Sequence, residues 1–239
     1  MKRNLALVTG GAQRLGKVFC LSLARMGYAI GLHYRHSAQE AFLLKKEIET
    51  LGVPAYLLRA DLTKPEKIDK LFEIVCEFEE PLKVLVNSAA VMPAGNALDL
   101  PLEDWDVAID LNLRAPFLMA QQAAKLMTAG GLIVNVSDIG AHKFWSGYPS
   151  YVISKSGLET LTRVLAKSFA PSIRVNAIAP GLVLKSEGLS PEEWDRLVGR
   201  LPLKRPAKPE EIASALEFLV RNEYVTGHTI VVDGGYSLI

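Results

Sequence analysis

Apolar residues fall into two alternating patterns along the chain. Short continuous runs bounded by turn-forming residues recur at 5–8, 29–34, 55–60, 83–87, 131–137, 173–179 and 229–233, as expected of strands buried on both faces. Between them, helical spacing of apolar residues predicts helices at 15–26, 38–51, 64–78, 103–128, 151–169 and 209–221. Gly27 and Gly52 stand where two of these helices stop, the place where a left-handed glycine ends a helix. The stretch TKPE at 63–66 has the spacing of a capping box with proline in the first turn.

Strands and helices that alternate throughout predict a parallel sheet, because each parallel connection must cross over it. The expected fold is a single α/β domain over 1–239: a doubly wound parallel sheet of about seven strands with helices on both faces. Ligands then gather beyond the carboxyl ends of the strands. Residues 182–208, rich in proline and charge, interrupt the alternation. They read either as a surface excursion or as a substrate loop over the strand ends.

A chain of 239 residues suits one large domain. Its net charge of +1 gives no global field for nucleic acid or an anionic membrane, so any preference for anions is local. Cys20 and Cys76 lie in apolar-patterned segments without metal-type spacing, so two buried reduced thiols and no metal site are expected. The N-terminal run meets glycines too early for a signal peptide, and no run approaches the roughly 18 apolar residues that span a bilayer. The expectation is a cytoplasmic protein whose partner is a small molecule, with no nucleic acid and no membrane.

Candidate chemistry sits at two places. In TGGAQRLG, Gly10, Gly11 and Gly16 offer the tight turn and close backbone approach that bring helix N–H groups to a pyrophosphate. A site that prefers NAD places an acid about 20 residues after the glycines. No Asp or Glu occurs between Met1 and Gln39, whereas Arg14, Lys17, His33, Arg35 and His36 do. Arg14 and Arg35, with Ser37, are positioned to converge on a ribose 2′-phosphate, which points to NADPH.

The second place is SDIGAHKFWSGYPSYVISK at 137–155. Tyr151 and Lys155 are one helical turn apart and share a face. A phenol is too weak an acid to exchange protons readily near neutrality, and a neighbouring ammonium is expected to lower it. The pair is a candidate proton-transfer device. An acidic residue, Asp138, lies thirteen positions before the tyrosine, next to Ser137.

With TGGAQRLG, NSAA at 87–90, Asn112 in LNLRAPF, YVISK and APG at 179–181, the chain resembles the short-chain dehydrogenase/reductases over essentially its whole length. The resemblance implies a Rossmann fold carrying NAD(P) and hydride transfer at the nicotinamide. Tyr151 would be the proton donor, Lys155 the residue that holds the ribose and tunes the phenol, and Asn112 a member of the proton relay. Asp61 and Leu62 would lie at the adenine, Asn87, Ser88 and Ala89 along the cofactor, and Pro180, Gly181 and Leu182 over the nicotinamide. Leu15, Tyr34 and His36 complete the implied cofactor set, and a homotetramer is the implied assembly.

Two departures are informative: Arg14 stands at the family's middle glycine, and Asp138 stands where the family usually has serine. Both, together with LHYRHSA and VDGGYSL, resemble the pteridine reductase branch, which includes members reducing dihydromonapterin and dihydrofolate. Met92 takes the place of an aromatic residue that stacks on the pterin there. The implied substrate set is Arg14, Met92, Asp138, Tyr148 and Tyr151, with Trp145 a further pocket candidate; His142 and Lys143 receive no role.

Electrostatics also favours that branch. An ionised carboxylate opposes the negative charge that develops on a ketone oxygen, whereas reduction of a ring C=N is helped by an acid that protonates nitrogen. The expected function is therefore an NADPH-dependent reductase of a pterin or folate ring. A 3-oxoacyl thioester or sugar carbonyl reductase is the alternative, and an NADP sensor without turnover the third reading.

Overall fold

Consecutive strand residues face opposite layers, and in this protein both layers are apolar. A computed structural model describes residues 3–186 and 188–239. Seven strands, β1 (Leu5–Thr9), β2 (Ala29–Tyr34), β3 (Ala55–Arg59), β4 (Leu82–Asn87), β5 (Gly131–Val136), β6 (Ile173–Pro180) and β7 (Thr229–Val232), form one parallel sheet in the order β3-β2-β1-β4-β5-β6-β7. Leu5 and Leu7 point into one layer, Ala6 and Val8 into the other. The first layer is completed by α3 (Pro65–Val75), α5 (Ala115–Leu126) and α7 (Pro149–Phe169). The second holds α1 (Arg14–Arg25), α2 (Ala38–Glu49) and α9 (Pro209–Arg221).

This is the doubly wound α/β fold that the alternation predicts. Strand order reverses at β1: the chain runs outward to β3, then returns to place β4 on the other side of β1. The crevice where ligands bind in such sheets is thus between the ends of β1 and β4. Gly27 and Gly52 close α1 and α2 with φ of +88° and +79°. No helix among the described residues is long and apolar enough to cross a membrane.

Local expectations fail in three places, at 103–128, at 63–66 and at Cys76. The run 103–128 is not one regular helix: α4 (Leu102–Ile109) passes through a π-helical turn at Asp110–Arg114 before α5. Pro116 has no N–H to offer the carbonyl of residue 112, so the α-helical ladder cannot run through it. The capping box expected at 63–66 does not form. Lys64 is the N-cap without a side-chain bond, and Thr63 instead gives both its N–H and its hydroxyl to Asp61 Oδ1, at 3.1 and 2.7 Å.

The segment 182–208 contains a helix, α8 (Pro191–Arg200), opened by a reciprocal cap in which Glu193 N–H meets Ser190 Oγ at 3.1 Å and Ser190 N–H meets Glu193 Oε2 at 3.0 Å. No residue of α8 is buried, and Glu187 lies outside the described residues. Cys20 is buried as expected, but Cys76, just past the end of α3, is exposed.

Candidate active site

The glycine turn leaves β1 at the switch point. A Cβ on Gly10 would stand 2.9 Å from Ala89 Cα, and one on Gly16 would stand 2.0 Å from the Gly10 carbonyl oxygen. Neither position admits a side chain. Thr9 Oγ accepts the N–H groups of Ser88 and Ala89 at 2.9 and 3.1 Å, which joins the ends of β1 and β4. Arg14, at the family's glycine position, retains a left-handed backbone with φ of +49°. Such a conformation costs a non-glycine residue about 1–2 kcal/mol and concentrates at functional sites.

Arg14 and Arg35 have separate partners. The Arg14 guanidinium donates to the carbonyls of Leu184 at 3.0 Å and Lys185 at 3.5 Å, on the segment after β6. Arg35 pairs with Asp61 at 2.9 Å, and Arg59 donates to the Arg35 carbonyl at 3.3 Å. Burial raises the Asp61 carboxyl, but the Thr63 bonds and the Arg35 charge outweigh it and hold the carboxyl below its usual range. Arg59 is thus a further cation at this corner; its place at the end of β3, two residues before Asp61, was the available signal.

His33 was counted among the basic residues, yet it is buried and neutral. Its Nδ1 accepts the Gly10 N–H at 3.1 Å, so Nε2 carries the hydrogen and donates to the Ala60 carbonyl at 3.1 Å. Burial pulls the imidazole down to about 4, against the Ala60 bond and Asp61. The signal was its position inside the apolar run AIGLHY. Tyr34 is half-buried, His36 is exposed and Ser37, half-buried, is the N-cap of α2 without a side-chain bond.

At the other end of the crevice Tyr151, Lys155 and Asp138 come together. Lys155 is 3% exposed, and its Nζ donates to the Val136 carbonyl at 2.6 Å. Burial draws the ammonium down to about 8, with Asp138 opposing. Burial also raises the Asp138 carboxyl, while the Gly140 N–H at 2.6 Å, the Lys155 charge and the Tyr151 hydroxyl pull it partly back. The phenol of Tyr151 lies well above its ordinary value, through burial first and then the charge and hydrogen bond of Asp138. The expectation that the ammonium lowers this phenol is therefore corrected: Lys155 Nζ is 5.7 Å from the ring centroid and satisfied elsewhere, and burial, with the Asp138 carboxyl adding to it, sets the direction.

Asn112 occupies the π-helical turn and is 1% exposed. Its amide exchanges bonds with the backbone of Val91 at 2.9 and 2.8 Å and donates to Ser154 Oγ at 3.0 Å. Ser154 in turn donates to the Tyr151 carbonyl at 2.7 Å. Asn112 thus braces the segment after β4 against α7. Asn87 is also buried and donates to Asn135 at 2.9 Å, while its own Oδ1 has no partner among the described residues.

One cleft of about 910 Å³ joins both ends. Gly10, Arg14, Leu15, Gly16, Arg35 and Leu62 line its glycine end; Ser88, Ala89 and Met92 line its middle. Asp138, Tyr148, Tyr151, Lys155, Pro180, Gly181 and Leu182 line the reacting end. Tyr34, His36, Ser37, Asp61, Asn87 and Asn112 do not line it. Trp145 does, as do Trp194 and Leu197 of α8, so the irregular segment forms part of the wall. His142 and Lys143, given no role from sequence, have partners: His142 Nε2 meets buried Glu159 at 2.9 Å, and Lys143 bonds the Ile239 carbonyl. Glu159 also takes the Ser137 hydroxyl at 2.9 Å, the side of β5 opposite Asp138.

Residues 10–237 match the family described as Enoyl-(Acyl carrier protein) reductase. The chain belongs to this family of short-chain dehydrogenase/reductases. Among curated relatives, the 3-oxoacyl-[acyl-carrier-protein] reductase of Synechocystis is 33% identical over 240 residues, covering 97% of this chain and 96% of that one. Among solved structures, FolM alternative dihydrofolate reductase 1 from Brucella canis, complexed with NADP, superposes with a TM-score of 0.94 at 34% identity, over 99% of this chain and 94% of that one. A blue fluorescent protein from a metagenomic library, in complex with NADPH, superposes with a TM-score of 0.93 at 32% identity, over 98% and 97%. This short-chain dehydrogenase/reductase is therefore about equally similar in sequence to a 3-oxoacyl-[acyl-carrier-protein] reductase and to FolM alternative dihydrofolate reductase 1, and its own site has to weigh the two.

Proposed function

We propose that this protein is an NADPH-dependent reductase of a dihydropterin-type ring, with dihydropterin, dihydromonapterin or dihydrofolate as the substrate class. The observation that carries the reading is Asp138, a half-buried acid with a raised pKa that lines the cleft together with Tyr151 and Lys155. An acid that keeps its proton more tightly than usual suits a ring nitrogen, which must be protonated as hydride reaches the adjacent carbon. It ill suits a ketone oxygen, beside which a carboxylate is repulsive.

The residues fit a dinucleotide. The turn at Gly10 and Gly16 leaves backbone where side chains would stand, α1 has no acid in its first turn and no side-chain cap, and the cleft has the size of a small-molecule site. Gly10, Leu15 and Gly16 would hold the pyrophosphate, with Ser88 and Ala89 along the middle. Arg35, Arg59, His36 and Ser37 would hold the adenosine 2′-phosphate. NADPH, when bound, supplies the hydride. Tyr151 would give its phenolic hydrogen toward the ring nitrogen, Asp138, protonated from solvent, would return a proton to Tyr151 and be left as the carboxylate until solvent protonates it again, and Lys155 would keep the local charge in balance. The net change is C=N plus hydride plus proton to CH–NH.

Assembly as a homotetramer belongs to the same reading. It is supported by large apolar side chains left exposed on α5 and α7, namely Phe117, Ile153 and Val164.

The second reading, reduction of a 3-oxoacyl thioester, is favoured by the 33% identity to the Synechocystis enzyme. Following NADPH oxidation with dihydrobiopterin, dihydrofolate and an acetoacetyl thioester separates the two. Turnover of a dihydropterin or dihydrofolate is the expected result, and turnover of the thioester alone defeats the reading.

A further inference from the structure

Two tryptophans line the cleft without a part in the hydride chemistry or the proton path, Trp194 on α8, which has no buried residue, and Trp145 in the segment after β5. Trp145 lines it beside Asp138 and Tyr151. A Cβ on Gly140 would stand 2.9 Å from two carbons of the indole six-membered ring and 3.0 Å from Asp138 Oδ1. The indole therefore borders the catalytic carboxylate across the width of a single missing methyl group. A residue other than glycine at 140 would push the ring away from its place.

The same indole is braced from the other side. Tyr148 meets it edge-on with centroids 6.4 Å apart, and Tyr236 lies 6.3 Å away at 39°. Tyr236 is itself only 8% exposed and is covered by the Lys143 ammonium at 5.1 Å. Ile139, Leu201 and Leu182 pack around this group as a small apolar cluster of its own. A side chain so fixed loses little freedom when a ligand lies on it, which is what makes a rigid aromatic an efficient binding surface. Met92, the other large apolar side chain at the middle of the cleft, is 43% exposed and flexible by chemistry.

We propose that Trp145, seated on Gly140, is the specificity-determining residue of the site: its indole is the flat surface against which a planar heterocycle is held next to Asp138, in preference to a flexible acyl chain. The inference rests on the pterin-type reading above and names what selects the ring. A planar ring gains stacking from the indole, whereas an acyl chain meets it along a line and must be ordered to do so.

The test is steady-state kinetics of the full-length protein with NADPH, using dihydrobiopterin and an acetoacetyl thioester as substrates, for wild type, Trp145→Phe, Trp145→Ala, Gly140→Ala and Met92→Ala. NADPH binding by titration serves as the check that each variant is folded. Trp145→Ala is expected to raise KM for dihydrobiopterin about 10- to 100-fold, the range that stacking on a base-like ring gives, with a much smaller change in kcat. Trp145→Phe should recover most of that loss, Gly140→Ala should reproduce it with the indole still present, and Met92→Ala should raise KM less than Trp145→Ala does.

A merely structural role would lower NADPH binding and kcat together and would not be rescued by phenylalanine. Unchanged KM in folded Trp145→Ala, or a larger loss in Met92→Ala, overturns the role of Trp145 and leaves the pterin-type reading standing. A wild-type protein that turns over only the thioester overturns both.

Discussion

Tyr151 and Asp138 meet at the reacting end of the cleft, where burial and the Asp138 carboxyl raise the phenol, while the Lys155 ammonium one turn further along α7 is held by the Val136 carbonyl at 2.6 Å. The tyrosine thereby keeps its hydrogen, and in the proposed mechanism Asp138, once protonated from solvent, replenishes it. Removing the phenol should leave binding and abolish delivery. Tyr151→Phe is expected to lose about 100- to 10,000-fold in turnover, the usual size of a general-acid contribution, with NADPH affinity retained. Undiminished turnover on the physiological substrate would remove Tyr151 from the mechanism.

Asp138 is the residue through which the choice of substrate is most directly tested. Asp138→Ser removes the charge that opposes a developing oxyanion and leaves a neutral donor in its place. The ratio of thioester to dihydropterin turnover should therefore rise, on the order of tenfold or more, relative to wild type. A ratio that falls or stays level would show that the carboxylate does not discriminate between C=N and C=O.

The pH profile follows from Lys155. Burial places its ammonium at about 8, with Asp138 acting against that shift. Below about pH 8 the group is charged and above it neutral, so reductive turnover should fall as pH rises through that region. In Asp138→Asn the opposing charge is gone, and the remaining burial draws the ammonium lower still. The alkaline limb should then move to lower pH; a limb that stays in place or moves upward contradicts the coupling.

The doubly wound sheet and most of the site were legible because each depends on local pattern. Strands buried on both faces read as continuous apolar runs, and Gly16 and Tyr151 sit at spacings that only one turn or one helical face produces. What stayed hidden depends on tertiary partners. That Arg35 pairs with Asp61, that Arg14 reaches the Leu184 carbonyl, and that burial and Asp138 raise the Tyr151 phenol are outcomes of distance and burial between elements apart in sequence. The π-helical turn at Asn112 lies between these cases: Pro116 announced a break in the ladder, but the bonds to Val91 that occupy the widened turn did not show in the pattern.

In the proposed reading, cofactor choice turns on the corner formed by Arg35 and Arg59. Arg35→Ala removes a guanidinium that a 2′-phosphate would draw away from Asp61, whereas a cofactor without that phosphate has nothing there to lose. NADPH should weaken on the order of 10- to 100-fold and NADH less than about threefold, as measured by KM for each. Equal losses would show that Arg35 acts on the fold of the corner and not on the phosphate.

His33 gives a prediction about stability. Its imidazole is pulled from 6.5 to about 4 by burial, against the Ala60 carbonyl bond and the Asp61 charge, while its Nδ1 accepts the Gly10 N–H. Between these two values the unfolded chain binds a proton that the folded protein refuses, so stability rises with pH across that window and is lost as pH falls through it. The contribution amounts to at most about 3 kcal/mol. His33→Gln removes the titration while leaving a polar side chain able to accept and donate. Urea unfolding at pH 7 and at pH 4.5 should show wild type losing more stability than the variant between the two conditions. Carboxylates titrate in both proteins, so the difference isolates His33; equal losses would show that its imidazole is not held neutral beneath the glycine turn.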